Sequence, residues 1–211
     1  MQNITDVMLP IKVIAQYVSS DFQGLELTMR FKASETAAKH ARVLEAAARL
    51  FRQRGFDGVN VREVMQSAGL THGAFYSHFE SKEELTVAAT EQAFREQLEN
   101  LQHSRRSRDP KSYFVRRYLS EANRDDLGGC AMAALGVDVA RHPSVRRAFT
   151  SQLRSVLSFM IANFSWRSPK PERNQAVAAL ALAVGALILS RAVDDEDLSQ
   201  EILAVAKGEL L

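Results

Sequence analysis

The sequence predicts an all-α protein, with an N-terminal three-helix head that contains a helix-turn-helix and a C-terminal helical domain behind it. Apolar residues recur three or four positions apart along most of the chain, which is the spacing of one helix face. Capping pairs stand where such stretches begin, Asn60 with Glu63 and Ser81 with Glu84. Between them, Gly69 can adopt the left-handed backbone conformation that a sharp turn needs.

The first helix of the head is predicted over about Ser34–Arg54. Its inner stripe has helical spacing and consists of Val43, Ala47, Leu50 and Phe51. Gly55 is expected to end the helix, and Phe56 to fold back onto the core. The predicted domains are an N-terminal extension over 1–33, which we expect to be mobile, the head over 34–80 and the C-terminal domain over 81–211.

The stretch from Asn60 to Leu85 predicts two short helices around a Gly-containing turn, which is the layout of a DNA-binding helix-turn-helix. The first helix would run from Val61 to about Ala68. Thr71 can cap the second helix, which is little more than two turns long. The large apolar residues of the second helix should fix it to its scaffold, with the last two stacked at i, i+4: Leu70, Phe75 and Phe79.

The other side of the second helix carries small residues and polar tips that can reach phosphates and base edges. These candidate contacts are Thr71, His72, Gly73, Tyr76, Ser77 and His78. Lys82, at the start of the next helix, adds a positive charge beside free backbone N–H groups, which is typical of a phosphate clamp. An ordinary helical hairpin with a polar surface fits the same pattern, because generic helix-turn-helix patterns are weak signals.

The segment GLTHGAFYSHFESKEEL resembles the recognition-helix signature of the tetracycline-repressor (TetR/AcrR) family of bacterial transcriptional regulators. The preceding ARVLEAAARLFRQRGFDGVNVREVMQSAG resembles that family's first two helices, so the likeness covers about residues 36–86. It implies DNA contacts, mostly to phosphates, at Gly73, Tyr76, His78 and Lys82. It also places Thr71 and His72 at the start of the recognition helix and Arg62 near the start of the helix before it. His72 departs from the family pattern, which often has Lys, Arg or a small residue there.

Composition limits the other classes of function. A formal net charge of +2 over 211 residues excludes a generic polycation, so nucleic-acid binding must come from local placement. A single cysteine excludes an internal disulfide and a CxxC metal site, which fits a reducing cytoplasm, and no signal peptide is apparent. The five histidines lack metal-ligand spacing, and no catalytic motif occurs. We therefore predict neither an enzyme nor a cofactor.

The C-terminal domain is predicted to be helical throughout. The expected elements are a helix over about Ser81–His103, a charged loop Ser104–Pro110, a short helix Lys111–Asn123, a turn at Gly128-Gly129, a helix Cys130–Arg141, a helix from Pro143 to about Phe164 and a loop SWRSPKP. The helix Cys130–Arg141 contains the apolar residues Met132, Leu135, Val137 and Val139.

Glu172–Val193 is apolar on all sides, with no charge between Arg173 and Arg191. The run AVAALALAVGALIL is short of the roughly 20 apolar residues of a membrane span, so we expect burial on more than one side instead. A last amphipathic helix opens at Asp194. Two such terminal helices indicate a two-fold, four-helix dimer interface, as the resemblance also implies. A purely intrachain core is the alternative.

Two candidate sites of control lie in the C-terminal domain. An apolar effector cavity is expected near the helix that begins at Ser81. Its predicted lining residues are Tyr113, Phe114, Tyr118, Met132, Leu135, Phe149 and Leu153. The same residues also fit an ordinary hydrophobic core. Cys130 follows two glycines at a helix start, where the helix dipole favours the thiolate. Its Gly-Cys pair resembles a subgroup of the family in which some members respond to oxidants or electrophiles through this cysteine. A small buried apolar residue is the other interpretation.

The resemblance therefore implies a homodimeric repressor, cytoplasmic and associated with the bacterial nucleoid. A small molecule, or modification by an oxidant or electrophile, would release it from double-stranded, palindromic operator DNA. No membrane partner is expected. The alternative is a DNA-binding architectural or division-linked factor without an inducer.

Overall fold

The computed structural model describes residues 34–166 and 170–211, and the predicted extension over 1–33 lies outside them. The prediction of an all-α fold is confirmed, since the described residues contain helices and no strand. The chain divides into two units, Met1–Arg42 and Val43–Leu211, and every helix after the first belongs to the second unit. The domain boundaries at residues 33 and 80 remain predictions.

The helices follow the predicted order. The α-helices are α1 (34–54), α2 (Val61–Ser67), α3 (Lys82–Gln102), α4 (Pro110–Tyr118), α5 (Glu121–Asp125), α6 (Ala131–Arg141), α7 (Arg146–Asn163), α8 (Glu172–Ala192) and α9 (Glu196–Leu210). Short 3₁₀ helices span His72–Ser77, His103–Arg106 and Pro143–Val145.

Three local expectations need correction. The second helix of the helix-turn-helix is a 3₁₀ helix, and in the described structure Thr71 precedes it without a side-chain capping bond. Part of the predicted loop Ser104–Pro110 is helical, because the chain continues from α3 into a 3₁₀ turn. The predicted helix Lys111–Asn123 is two helices, since Leu119 leaves the helical conformation and Ser120 caps α5 by accepting from the Asn123 N–H.

The turns of the head follow the predicted glycine and capping chemistry. Gly55 and Gly69 have φ angles of 73° and 69°, the left-handed region that favours glycine. Asn60 and Glu63 form a complete capping box, with both side-chain-to-backbone hydrogen bonds at 3.0 Å. At the start of α3, Ser81 Oγ accepts from the Glu84 N–H. The Glu84 carboxylate accepts from the Glu80 N–H at 2.6 Å, so the predicted second capping box is only half formed.

Asn60→Ala should lower the free energy of unfolding by about 1 kcal/mol, because the Glu63 backbone N–H loses the Asn60 side-chain oxygen that accepts its hydrogen bond. Urea denaturation followed by circular dichroism measures the change. Asn60→Asp is the matched control, since its carboxylate keeps an acceptor at the same place. Equal losses in the two variants would show that the side-chain oxygen does not stabilise α2.

The core of the head continues into the C-terminal helices. Phe51 and Phe56 are buried and meet edge to face with ring centroids 5.5 Å apart. The Phe56 ring also contacts His142, which follows α6, at 5.3 Å. Helix α3 packs mainly against α7, and its buried Phe94 lies 5.5 Å from Phe149. Val137 is 63% exposed on the outer face of α6.

Helix α8 has a buried face and an exposed apolar face. The buried side packs against α9, α7 and α6 and includes Ala176, Leu180, Ala183 and Leu187. The other side exposes Val177, Leu182, Ile188 and Leu189. Contrary to expectation, the 21-residue helix is long and apolar enough to cross a membrane by length and composition alone. Its buried face shows that part of this apolar surface serves the intrachain core.

Candidate nucleic-acid interface

The 3₁₀ helix His72–Ser77 has one buried and one exposed side. Phe75 and Phe79 are buried, and their rings stack at 5.8 Å with an interplanar angle of 28°, as predicted. The predicted DNA-contact side is open: Tyr76 is 70% exposed, His78 is half-buried, and the exposed remainder comprises Thr71, His72, Gly73 and Ser77. The two stacked rings therefore anchor a short polar ridge that faces solvent.

The ridge offers both aromatic surface and close backbone approach. The Tyr76 ring meets Phe75 edge to face at 5.3 Å and His72 at 6.4 Å, so the hydrophobic core supports one edge of it. In the described part of the chain, no atom lies within 4 Å of a Cβ built on Gly73. Packing within the chain does not explain this glycine, whereas a macromolecule that approaches the backbone closely would.

Lys82 has an intramolecular partner that its sequence position does not reveal. Its half-buried ammonium group donates a 2.8 Å hydrogen bond to the main-chain carbonyl of Phe56. Lysine has three N–H donors, so donors remain for a phosphate. Glu83 and Glu84 occupy the first turn of α3 and offset part of the positive charge there. A phosphate at this position would therefore be bound by the lysine more than by the helix terminus.

Helix α2 adds an exposed guanidinium at Arg62, which is one of the predicted contacts. The neighbouring basic residues are engaged within the chain. Arg49 donates to Ser67 Oγ at 2.6 Å, and Arg54 pairs with Glu63 at 3.0 Å. The Asn60 backbone N–H, followed by the Arg54 guanidinium, holds the pKa of the Glu63 carboxyl below its usual value. Arg62 is therefore better placed for a phosphate than Arg49 or Arg54.

Residues 43–89 match the family described as bacterial regulatory proteins, tetR family. The helix-turn-helix segment of the chain is of the tetR-family type. A segment of 53 residues is 40% identical to the uncharacterized HTH-type transcriptional regulator YerO of Bacillus subtilis, and covers 25% of this chain and 18% of that protein. A 52-residue segment is 38% identical to the HTH-type transcriptional repressor KstR2 of Mycolicibacterium smegmatis, and covers 25% of each protein.

Two solved structures extend the likeness beyond the head of the chain. The reduced form of Escherichia coli NemR has a TM-score of 0.69 and 23% identity, over 82% of this chain and 94% of that one. A TetR-family transcriptional regulator from Agrobacterium tumefaciens has a TM-score of 0.70 and 17% identity, over 82% and 98% of the two chains. At these identities the likeness establishes the fold. The chain spans only about a quarter, or less, of the length of these two curated relatives.

The C-terminal part of the chain contains a cavity of about 350 Å³ between α3, α4 and the α5–α6 connection. Three of the predicted pocket residues line it: Tyr113, Phe114 and Tyr118. The other four do not. Met132 and Leu135 are buried in the core, and Phe149 and Leu153 pack against the core from α7. Lining groups that the sequence prediction missed include Gln97, Asn100, Ser104 and Arg117.

Cys130 lies behind the cavity, 1% exposed, at the N-cap of α6. Its sulfur is 2.8 Å from Tyr118 Oη, and accepts from Gln97 Nε2 and from the Ala133 N–H at 3.4 Å each. Burial, followed by the nearby Cys130, raises the pKa of the Tyr118 hydroxyl well above its usual value. Both Tyr118 and Gln97 also line the cavity, so the thiol contacts two of its wall residues.

Within residues 34–166 and 170–211, no group of three His, Cys, Asp or Glu side chains is arranged to hold a metal ion.

Proposed function

We propose that this tetR-family chain is a DNA-binding transcriptional repressor that binds a palindromic operator as a homodimer and is released by a small-molecule effector. The observation that carries the proposal is the polar ridge Thr71–His78 on a helix-turn-helix whose apolar side is anchored by Phe75 and Phe79. A ridge of this kind can enter the major groove, while Arg62 and Lys82 contact flanking phosphates. The proposed repressor acts in the bacterial cytoplasm, at the nucleoid, where operator DNA is found.

The main test of the repressor proposal is a gel shift of the purified chain with its own upstream intergenic DNA at fixed salt. Specific retardation that survives excess unrelated DNA is expected. Candidate effectors are then added to the same complex, and release by one of them supports inducible repression. Specific binding that no effector alters would favour the alternative, an architectural or division-linked factor without an inducer.

Lys82→Ala should weaken binding to operator and unrelated DNA alike, because a phosphate contact carries little sequence information. The slope of log affinity against log salt should fall in magnitude by about 1, as expected for one lost phosphate contact. Fluorescence anisotropy across a salt series measures both quantities. Lys111→Ala is the control, since Lys111 stacks over Trp166 at 5.3 Å in the C-terminal domain. An unchanged slope for Lys82→Ala would contradict the proposed docking.

We assign dimerisation to α8 and α9, the two terminal helices that the sequence predicts at the interface. Support comes from the exposed apolar side chains of the two helices, which the remainder of the described chain leaves uncovered. On α8 these are Val177, Leu182, Ile188 and Leu189, and on α9 Leu198 and Val205. We refer to these six residues as the α8/α9 face. A two-fold partner would cover it with the same face, forming a four-helix interface.

Helix α3 offers a direct physical connection between the effector cavity and the head. Its first residue, Lys82, bonds to Phe56 of the head, and its last two turns contribute Gln97 and Leu101 to the cavity wall. A further contact, Arg52 with Glu96 at 3.2 Å, joins α1 to the same helix. An effector that binds better when α3 holds the heads at the wrong separation would lower operator affinity, because the two heads must match two half-sites.

Control by an oxidant or electrophile, the other form of the proposal, would act at Cys130. With a test electrophile such as iodoacetamide, the sulfur forms a bond to carbon, iodide leaves and the thiol proton passes to solvent. Such an adduct would remove the contact between Cys130 and Tyr118 and disturb the cavity wall.

If this form operates, iodoacetamide should label Cys130 in the folded protein and abolish specific DNA binding in proportion to labelling. Cys130→Ser should bind DNA normally and resist the reagent, because its hydroxyl can still cap α6. Mass spectrometry and gel shifts on the same samples measure both effects. Since Cys130 is 1% exposed, labelling in urea gives the reference rate. A thiol that is labelled only in urea, or equal sensitivity of Cys130→Ser, would exclude this form of control.

A further inference from the structure

The cavity of the C-terminal domain has a cationic entrance. Among its lining residues Arg117, Tyr113 and Asn100 are exposed, and these three also line an adjoining surface groove with His103, Arg106 and Ser107. No acidic residue lines that groove. Neither Arg117 nor Arg106 makes a side-chain hydrogen bond or ion pair with any described residue. The entrance therefore presents two uncompensated guanidinium groups on one side.

The floor of the cavity is apolar but contains two unsatisfied polar atoms. Ser104 is 1% exposed, and its hydroxyl has no hydrogen-bond partner among the described residues. The same holds for the buried Gln97 Oε1, whose amide nitrogen is used by Cys130. Around them lie the buried side chains of Leu101, Val156 and Leu180. A buried polar group without a partner is costly, so these atoms mark where a ligand's polar group would bind.

The acidic residue of the cavity lining, Asp126, is engaged in a backbone turn. Its carboxylate accepts the Gly128 N–H at 3.0 Å in the α5–α6 connection. The backbone carbonyl of Asp126 also accepts from Arg191. Asp126 is thus part of the turn before Cys130, whereas Arg117 lies on α4.

We propose that this cavity binds a small phenolic carboxylic acid, with its carboxylate at Arg117 and Arg106, its ring between Tyr113 and Phe114, and its hydroxyl at Ser104 and Gln97. We infer a carboxylate on the ligand because the two free guanidinium groups can bind one. We infer a hydroxyl on the ligand because Gln97 Oε1 can only accept a hydrogen bond, so the ligand must supply the donor. The volume of about 350 Å³ is at the small end of ligand sites, which suits a single ring with a short side chain. An effector role for this ligand rests on the proposed function, but its binding does not.

Three matched probes test the ligand class on the full chain by isothermal titration calorimetry without DNA. They are 4-hydroxycinnamate, cinnamate, which lacks the hydroxyl, and 4-hydroxycinnamide, which lacks the charge. The first should bind at least tenfold more tightly than either of the others. Equal binding of all three, or no binding by 4-hydroxycinnamate, would overturn the proposal.

Variants locate the site. Arg117→Gln should weaken 4-hydroxycinnamate binding about tenfold or more, whereas Arg116→Gln, one position away and outside the lining, should leave it unchanged. Ser104→Ala should weaken binding and at the same time raise the melting temperature of the free protein, because it removes an unsatisfied buried hydroxyl. A purely structural serine would not show these opposite effects. Unchanged binding in Arg117→Gln, or lower stability of Ser104→Ala, would overturn the assignment.

The same ligand added to the gel shift separates the two proposals. Binding in the calorimeter without release of DNA would keep the ligand site and remove its effector role. Absence of specific DNA binding under every condition would remove the repressor function and leave the calorimetric result standing.

Discussion

A chain carrying Leu189→Arg will be monomeric and will bind operator DNA at least about 100-fold more weakly than the unmodified chain. Leu189 is 57% exposed on α8 and is one of the two most exposed residues of the α8/α9 face. In a two-fold dimer each substitution occurs twice, and each leucine contributes about 1.5–3 kcal/mol on burial. An arginine at the same place would be buried without a partner, which costs more than the lost leucine contacts. Analytical ultracentrifugation and anisotropy with operator DNA measure the two effects.

The matched control is Val137→Arg. Val137 is 63% exposed, so the substitution adds the same charge at an equally exposed apolar position, but on α6 and outside the α8/α9 face. This variant should remain dimeric and bind operator DNA normally. A dimeric Leu189→Arg chain would place the interface elsewhere, and equal damage by both variants would indicate a general loss of solubility.

The second large effect concerns Phe75. Phe75→Ala should lower the free energy of unfolding by about 3–5 kcal/mol, the usual cost of truncating a buried phenylalanine. The side chain is 2% exposed and stacks on Phe79, so its removal leaves a cavity beneath the polar ridge. Urea denaturation with a helical readout measures the loss.

Its neighbour Tyr76 provides the contrasting variant. Because Tyr76 is 70% exposed, Tyr76→Ala should change stability by no more than about 0.5 kcal/mol. The same variant should nevertheless lose affinity for every DNA sequence, and Tyr76→Phe would show whether the hydroxyl or the ring makes the contact. A Tyr76→Ala protein that is as unstable as Phe75→Ala would mean that the two faces of the 3₁₀ helix are assigned the wrong way round. Unimpaired DNA binding would remove Tyr76 from the interface.

Features that depend on residues close together in the chain could be predicted from the sequence. The Asn60–Glu63 capping box, the left-handed conformation of Gly69 and the stacking of Phe75 on Phe79 involve partners within four positions or a single backbone angle. The split between α4 and α5 was of the same kind. Ser120 stands three residues before Asn123, so its capping role could have been recognised from the sequence.

Features formed by distant segments could not be predicted in this way. The hydrogen bond from Lys82 to the Phe56 carbonyl spans 26 positions. Every residue has a backbone carbonyl, so the sequence does not indicate which one accepts this bond. The cavity wall combines Gln97 of α3 with Arg117 of α4, while Met132 and Leu135, of similar apolar character, turn into the core. Periodicity distinguishes inner from outer faces, but it does not show which inner residues border an empty volume.

The exposed α8/α9 face has a genetic consequence. If two copies of the chain join through it, a copy with a damaged head but an intact face still pairs with normal copies. Each mixed pair then carries only one working head and loses the combined affinity of two half-sites. In a cell that makes both versions equally, most pairs contain at least one damaged head, so such alleles are dominant. Alleles that also disrupt the face, such as Leu189→Arg in the same chain, would be recessive.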